Sequence, residues 1–424
     1  MVRKRGRGAL VLLLLLCMTL GSCAGGEWLD EVPKDFALWK EEAASATGDG
    51  AGILQEGQAV SGEEGGPDAV TEPPYSFLAE EVYGFAFFGL TEAEKIWYRD
   101  MEQILGCHQE KKQLSPEGLE AGLDETDIDR VFQSVLIDHP ELFYVEGYSY
   151  TRFTRGEKIT ALEFSGSYNV DLETAKIRQE EIARAVGEIL SGIAEEATDY
   201  EKVKYVYDTL IRNTEYELDS PDNQNIYSVF VNHISVCQGY AKATQHLLNA
   251  LGIPCTLVLG TVGENEGHAW NLVNIGGSCY YVDTTWGDAS YQLDTLVEES
   301  QLSMPEINYD YLNVTTAELL RTHTISPDMD MPLCIDTAAN YYVMEGALFS
   351  SYDRQQMEEL FQRAIEEGRE DVTIKCADEE SYVQVTTALL DNQEIFRYLK
   401  ESDGTVAYTR DDNQRSLTFW VTNE

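Results

Sequence analysis

Two successive glycines, Gly276 and Gly277, separate N-L-V-N-I from S-C-Y-Y-V. Two β-rich runs joined by a Gly-Gly pair read as a hairpin with a two-residue primed turn, and a turn of that length fixes the strand register. Ile275 is then paired with Ser278. Counting outward puts Trp270 opposite Asp283 and His268 opposite Thr285. Alternate residues of a strand share a face, so His268, Trp270, Tyr281, Asp283 and Thr285 are expected on one side of the sheet. His268 and Asp283 become diagonal neighbours, with Cβ atoms somewhat under about 7–8 Å apart, within reach for an imidazole and a carboxylate. A further β-rich run, T-L-V-L-G-T-V over 256–262, predicts another strand just upstream.

Before these strands the spacing predicts a helix over 237–251. Tyr240, Ala241, Thr244, Leu247, Leu248 and Leu251 form one helical stripe. Gly252 supplies a C′ position and Pro254 prevents continuation. Cys237 therefore opens the helix. Unpaired N–H groups and the helix dipole at such a start favour an anion, which promotes the thiolate form of a cysteine. The same N–H groups can hold an oxyanion. A thiol, an imidazole and a carboxylate within 237–283 are the components of a cysteine acyl-transfer centre: Cys237 as nucleophile, His268 as base, Asp283 as the group that orients the imidazole. Trp270 and Trp286 flank these residues. They read as core packing or as walls of the site, where exclusion of water would favour an amine acceptor over hydrolysis.

V-C-Q-G-Y-A, L-G-I-P, H-A-W-N and Y-Y-V-D-T-T-W, in that order and close together, resemble the transglutaminase-like superfamily, a branch of the papain-like cysteine enzymes, most of all its bacterial extracellular members. The resemblance covers about 197–330. It implies an α+β, papain-like core in which a nucleophile helix packs on an antiparallel sheet, and it assigns Cys237, His268 and Asp283 the nucleophile, base and carboxylate positions. No acidic cluster is similar to the calcium sites of animal transglutaminases, and no cofactor or metal is expected. The activity implied is attack on a protein or peptide amide through a thioester, ending in hydrolysis, deamidation or cross-linking. The alternative is an inactive binding or scaffold lipoprotein that keeps the fold.

The rest of the chain sets this segment in context. Arg3, Lys4, Arg5 and Arg7 precede an apolar run from Ala9 to Leu20 and then L-G-S-C. The run suits a signal peptide and is short for a membrane span. L-G-S-C resembles a bacterial lipobox, which implies lipidation at Cys23 and attachment to the outer face of the cytoplasmic membrane. Gly21 departs from the usual residue there and leaves ordinary secretion as the alternative. Residues 1–22 are thus read as signal and 23–75, rich in Gly, Glu, Ala and Ser, as a disordered tether. Two smaller α/β domains, 76–196 and 333–424, are expected to flank a 197–332 core. In the first, helices are expected over 92–105, 124–138 and 173–193, with paired strands between. In the second, Y-Y-V-M and D-V-T-I-K-C read as strands with a helix over 354–367 between them.

The 424 residues carry 75 acidic against 30 basic side chains, a formal charge of -45. That excess disfavours nucleic acid as a partner. It serves solubility, or draws lysine-rich substrates. Cys107, Cys237, Cys255, Cys279, Cys334 and Cys376 are too scattered for a zinc-type cluster; Cys255 and Cys279 read as small buried apolar residues. Outside the cytoplasm the substrates implied are envelope proteins, external proteins or peptidoglycan peptides.

Overall fold

The computed structural model describes residues 84–109, 111–156, 158–263, 265–288, 305–399 and 406–421. The expected signal segment, Cys23 and the tether lie outside the described residues. Among the described residues no helix is long and apolar enough to cross a membrane.

The N-terminal part contains α1 (Glu92–Gly106), α2 (Ile128–Asp138) and α3 (Leu172–Leu190). Thr91 and Glu94 form a capping box that starts α1, and Asp171 caps α3 through the Thr174 N–H. Strands β1 (Lys112–Gln113), β2 (Val145–Arg155) and β3 (Lys158–Tyr168) form an antiparallel sheet in the order β1-β3-β2. The expected helices and the β2–β3 hairpin are all present, α3 ending three residues sooner than the pattern suggested.

The next part begins with α4 (Asp199–Asn213), whose Val203, Val206, Tyr207, Leu210 and Ile211 face inward. A short parallel pair, β4 (Glu215–Tyr216) and β5 (Ile234–Ser235), leads into α5 (Cys237–Ala250). Then come β6 (Cys255–Val262), β7 (Glu266–Ile275), β8 (Ser278–Val282) and β9 (His323–Ile325), an antiparallel sheet in the order β8-β7-β6-β9. Helix α5 lies on β6 and β7: Cys237 and Ala241 pack with Leu257 and Ala269. Asn271 ties the layers together by donating to the Ala241 carbonyl at 2.9 Å.

No gap in the core falls at residue 196. Trp97, Tyr98, Phe132 and Phe164 belong to the same buried cluster as Val203, Tyr207, Leu247, Leu248 and Val273. Gln245 on α5 adds a hydrogen bond to the Ile137 carbonyl of α2, 2.8 Å. The N-terminal part and the helix side of the central sheet fold around one apolar interior.

The Gly276-Gly277 turn is as read: both residues have positive φ, 62° and 93°, and Ile275 pairs with Ser278. The ladder holds through Asn271 opposite Val282 and stops there. The expected pairs Trp270–Asp283 and His268–Thr285 do not form. Instead the Asp283 carboxylate accepts the N–H groups of Thr285 and Trp286, and the chain curls into a turn. An aspartate that bonds backbone two residues on competes with the ladder for those N–H groups.

The C-terminal part has its own core. Strands β10 (Leu348–Phe349), β11 (Asp371–Cys376), β12 (Tyr408–Asp411) and β13 (Ser416–Trp420) form a mixed sheet in the order β10-β11-β13-β12. Helices α6 (Arg354–Glu366) and α7 (Glu379–Thr386) accompany it. One expectation fails here: Y-Y-V-M is a helical turn, Tyr341–Met344, not a strand. Asn340 caps it by accepting the Tyr342 N–H, and Tyr341 stacks on Tyr309 at 3.8 Å between ring centres. Four β-formers are too short a run to outweigh a cap and a ring contact.

This unit is pinned to the turn over Tyr309–Tyr311, between β8 and β9, by a buried ion pair. Lys375 of β11 reaches Asp310 at 3.1 Å, and Ser416 donates to the other Asp310 oxygen at 2.6 Å. Both charged side chains are at most 5% exposed. Removing one partner of such a pair strands the other, at about 3–5 kcal/mol. Lys375→Met should therefore lower unfolding stability by about that amount, read as a shift in urea midpoint at unchanged slope. A loss below about 1 kcal/mol would mean water already solvates Asp310.

Candidate active site

Cys237 is the first residue of α5, after Val236 in extended conformation with no side-chain cap. The backbone is held close here. A Cβ on Gly239 would lie 1.9 Å from Ser235 Oγ and 3.1 Å and 3.2 Å from the carbonyl oxygens of Asn223 and Asn225. That crowding is the physical content of C-Q-G: only glycine lets the first turn of α5 sit against the 223–235 segment. Gly239 and Tyr240 both donate to the Val236 carbonyl. The N–H groups of Cys237 and Gln238 have no acceptor among the described residues, as expected for the first positions of a helix.

The H-A-W-N run divides its labour between the two faces of β7. Ala269 is small because Cys237 and Ala241 rest on it. Trp270 lies on the opposite face with Val258, Leu272 and Tyr281, fully buried. His268 is 3% exposed, and the Cys237 side chain is among the groups that favour its charged form. Its Nε2 is 2.7 Å from Asp283 Oδ2. A carboxylate oxygen only accepts, so Nε2 carries a proton and Nδ1 is the nitrogen left for the cysteine.

D-T-T-W is equally specific. Asp283 Oδ1 accepts the Thr285 and Trp286 N–H groups at 2.9 Å and 3.0 Å. Thr284 bonds Thr244 of α5, 2.8 Å between hydroxyls. Trp286 is half-buried against His268 and meets Tyr311 edge-on at 5.1 Å. Of the two tryptophans read as core packing or as site wall, Trp270 is core, and the rings of both lie near the imidazole, 5.9 Å and 6.1 Å between centres.

A residue that sequence reasoning missed completes the group. His323, the first residue of β9, places Nε2 2.9 Å from Asp283 Oδ2, the same oxygen that His268 uses. Its only sequence signal was a lone histidine in R-T-H-T-I, forty residues beyond Asp283. Gly260 is what lets β9 come so close: a Cβ there would lie 2.0 Å from the Thr324 carbonyl oxygen.

His268, Asp283 and His323 could in principle share a cation, their ligating atoms lying within 4.8 Å of one another. The spacing argues against it. Atoms bound at about 2.1 Å around a tetrahedral ion stand about 3.4 Å apart. The N···O distances here are 2.7 Å and 2.9 Å, which are those of N–H···O bonds.

The charges are coupled. Burial works against the His268 imidazolium, but the Asp283 carboxylate and the Cys237 side chain outweigh it and push His268 up to about 10. Burial likewise opposes the Asp283 anion. His268 and His323 overcome it and hold the carboxyl well below the usual carboxylate range. Among the described residues the other cysteines are free, and burial pushes the thiols of Cys255, Cys279, Cys334 and Cys376 up. Cys255 is buried as expected, while Cys279 is only half-buried.

Residues 187–286 match the model of the transglutaminase-like superfamily, so the chain carries a transglutaminase-like domain. No curated protein matches the chain. Solved structures similar to it include a TGase, 13% identical with a TM-score of 0.25 over 37% of this chain and 53% of that one. A presumed cysteine protease from Cytophaga hutchinsonii is 17% identical, TM-score 0.22, over 32% of this chain and 61% of that one. The periplasmic domain of TgpA from Pseudomonas aeruginosa is 19% identical, TM-score 0.20, over 31% and 55%. The chain thus spans about half to three-fifths of the length of each.

The ion pair has a pH signature. A raised imidazole adds stability fully present below its ordinary value of 6.5 and lost as pH rises through about 10. A lowered carboxyl adds stability present above its ordinary 3.8 and lost as pH falls. These describe one pair, whose contribution is therefore largest between about pH 4 and 6.5. The stability difference between wild type and Asp283→Asn should peak in that window and shrink toward pH 10. Imidazole NMR should find His268 still protonated at neutral pH in the wild type. An ordinary midpoint near 6.5 in both proteins would refute the pairing.

Proposed function

We infer that the transglutaminase-like domain is a thiol acyl-transfer centre acting on protein or peptide amides. The observation that carries this reading is the buried His268 ring, which has Asp283 2.7 Å from Nε2 and whose charge is favoured by the Cys237 side chain. That is the arrangement in which a base, oriented by a carboxylate, takes a proton from a nucleophile.

The proton shared by Cys237 and His268 rests on the imidazole, and Sγ bonds the carbonyl carbon of a glutamine carboxamide or a peptide. The carbonyl oxygen becomes an oxyanion, and the free N–H groups of Cys237 and Gln238 supply donors for it. The C–N bond breaks, and the imidazolium protonates the departing ammonia or amine. The thioester is then attacked by water or by a primary amine, with His268 taking the incoming nucleophile's proton. Asp283 holds the imidazole tautomer and stabilises the imidazolium throughout. Water gives hydrolysis or deamidation; a lysine amine gives a cross-link.

The address is inferred from sequence: a signal over 1–22 and a lipid on Cys23, holding the domain at the outer face of the cytoplasmic membrane. Envelope proteins, external proteins or peptidoglycan peptides are then the substrates within reach. The formal charge of -45 favours lysine-rich ones.

Casein with a labelled primary amine separates the fates. Cys237-dependent incorporation is expected for a transferase, ammonia release without incorporation for a deamidase, and new peptide termini for a protease. Cys237→Ala should abolish whichever occurs. Asp283→Asn should slow it by about three to four orders of magnitude, as loss of the orienting carboxylate does in a Ser–His–Asp triad. Wild type and Cys237→Ala giving the same result on casein and on peptidoglycan peptides would leave the scaffold reading standing.

A further inference from the structure

His323 is buried and its side chain shows no exposure. The ring sits among Trp270 at 5.0 Å, Trp286 at 4.8 Å, Tyr311 at 5.6 Å and His268 at 5.5 Å between centres. Aromatic faces alone do not need an imidazole there; a phenylalanine would fill the space without a polar atom to satisfy. What an imidazole adds is the Nε2 contact to Asp283 Oδ2 at 2.9 Å.

We propose that His323 is a positioning residue of the acyl-transfer centre, donating Nε2–H to Asp283 so that the carboxylate is fixed at both oxygens before it meets His268. The proposal rests on the reading of Cys237, His268 and Asp283 given above. Oδ1 is held by two backbone N–H groups and Oδ2 by two imidazoles, so rotation of the carboxylate would break bonds at both ends. His323 also keeps Asp283 the weaker base of the pair. A carboxylate with three donors besides His268 has little tendency to draw the proton off that imidazole, and the base function stays on the ring that faces the sulfur.

Because a carboxylate only accepts, the 2.9 Å contact puts a proton on His323 Nε2, while Nδ1 lies 2.8 Å from Thr322 Oγ1. Gln414 donates to the hydroxyl of Tyr311, whose ring lies against His323, at 3.3 Å. Gln414 belongs to the C-terminal unit. Hydrogen bonds thus run from Thr322 through His323 and Asp283 to His268, and Tyr311, held by Gln414, packs on the His323 ring. Among the described residues, the titratable groups touching His323 are Asp283, His268 and Tyr311.

The test needs no substrate. Chloroacetamide alkylation of the full chain at neutral pH is followed by peptide mapping of Cys237. Wild type should react at least tenfold faster than free cysteine. His323→Phe should slow the reaction by about tenfold, and His323→Gln, which restores an N–H donor, should stay within about threefold of wild type. Folded His323→Phe reacting like wild type overturns the proposal, as does His323→Gln failing as badly as His323→Phe. Imidazole NMR on the wild type gives a second reading that survives misfolding of either variant. His323 is expected with its proton on Nε2 and a hydrogen-bonded signal; a tautomer protonated on Nδ1 alone overturns the proposal. Wild-type Cys237 no faster than free cysteine would instead count against the acyl-transfer reading, and the tautomer would still decide the part played by His323.

Discussion

A single carboxylate organises the centre. Asp283 is 1% exposed and accepts four hydrogen bonds, two from backbone N–H groups and two from imidazoles. An unpaired carboxylate at that depth would cost several kcal/mol even after relaxation. The cost is offset only if the turn after β8, the start of β7 and the start of β9 all arrive together. The requirement runs both ways: the elements position the carboxylate, and the carboxylate selects the turn that ends β8. The same anion sets the state of His268, whose protonated form would otherwise be disfavoured by burial.

The parts of the chain that support this group are spread widely in sequence. Helix α5 carries Cys237 but takes its footing from α2, through Gln245 and Ile137, and from the interior shared by Trp97, Phe132, Leu247 and Val273. Thr284 joins the turn after Asp283 to the middle of α5. On the far side, Lys375 and Ser416 clasp Asp310, next to the Tyr311 that packs on Trp286 and His323. The divisions drawn at 196 and 332 from composition are therefore not boundaries of equal meaning. The first is crossed by a continuous apolar core; the second separates two cores and is crossed by the Lys375–Asp310 pair and the Tyr309–Tyr341 ring stack.

Much of the centre was legible residue by residue. The Leu247–Leu248–Leu251 stripe with Gly252 and Pro254 placed the helix and put Cys237 at its start. The Gly276-Gly277 pair gave the hairpin and its register as far as Val282. The face shared by His268 and Asp283 followed, although the diagonal pairing invoked for it did not form. Local chemistry explains the difference: an aspartate side chain can satisfy nearby backbone N–H groups by itself, and here it ends the ladder one residue before the expected pair. Y-Y-V-M failed for a related reason, since a four-residue apolar run has no period of its own and Asn340 decided its conformation.

Local signals, acting over a few residues, determined the helix start, the hairpin turn, the glycines that permit close approach and the three reactive residue types. Turn stereochemistry and helical periodicity are properties of adjacent residues, so they can be read from a chain before it folds. His323 could not be read in that way. Its role depends on β9 returning to the edge of β6, forty residues after Asp283, through a contact that only Gly260 leaves room for. The orientation of the N-terminal and C-terminal parts toward the centre is of the same kind. It is set by which apolar faces fit and which buried charges find partners, and those are decided between segments rather than within them.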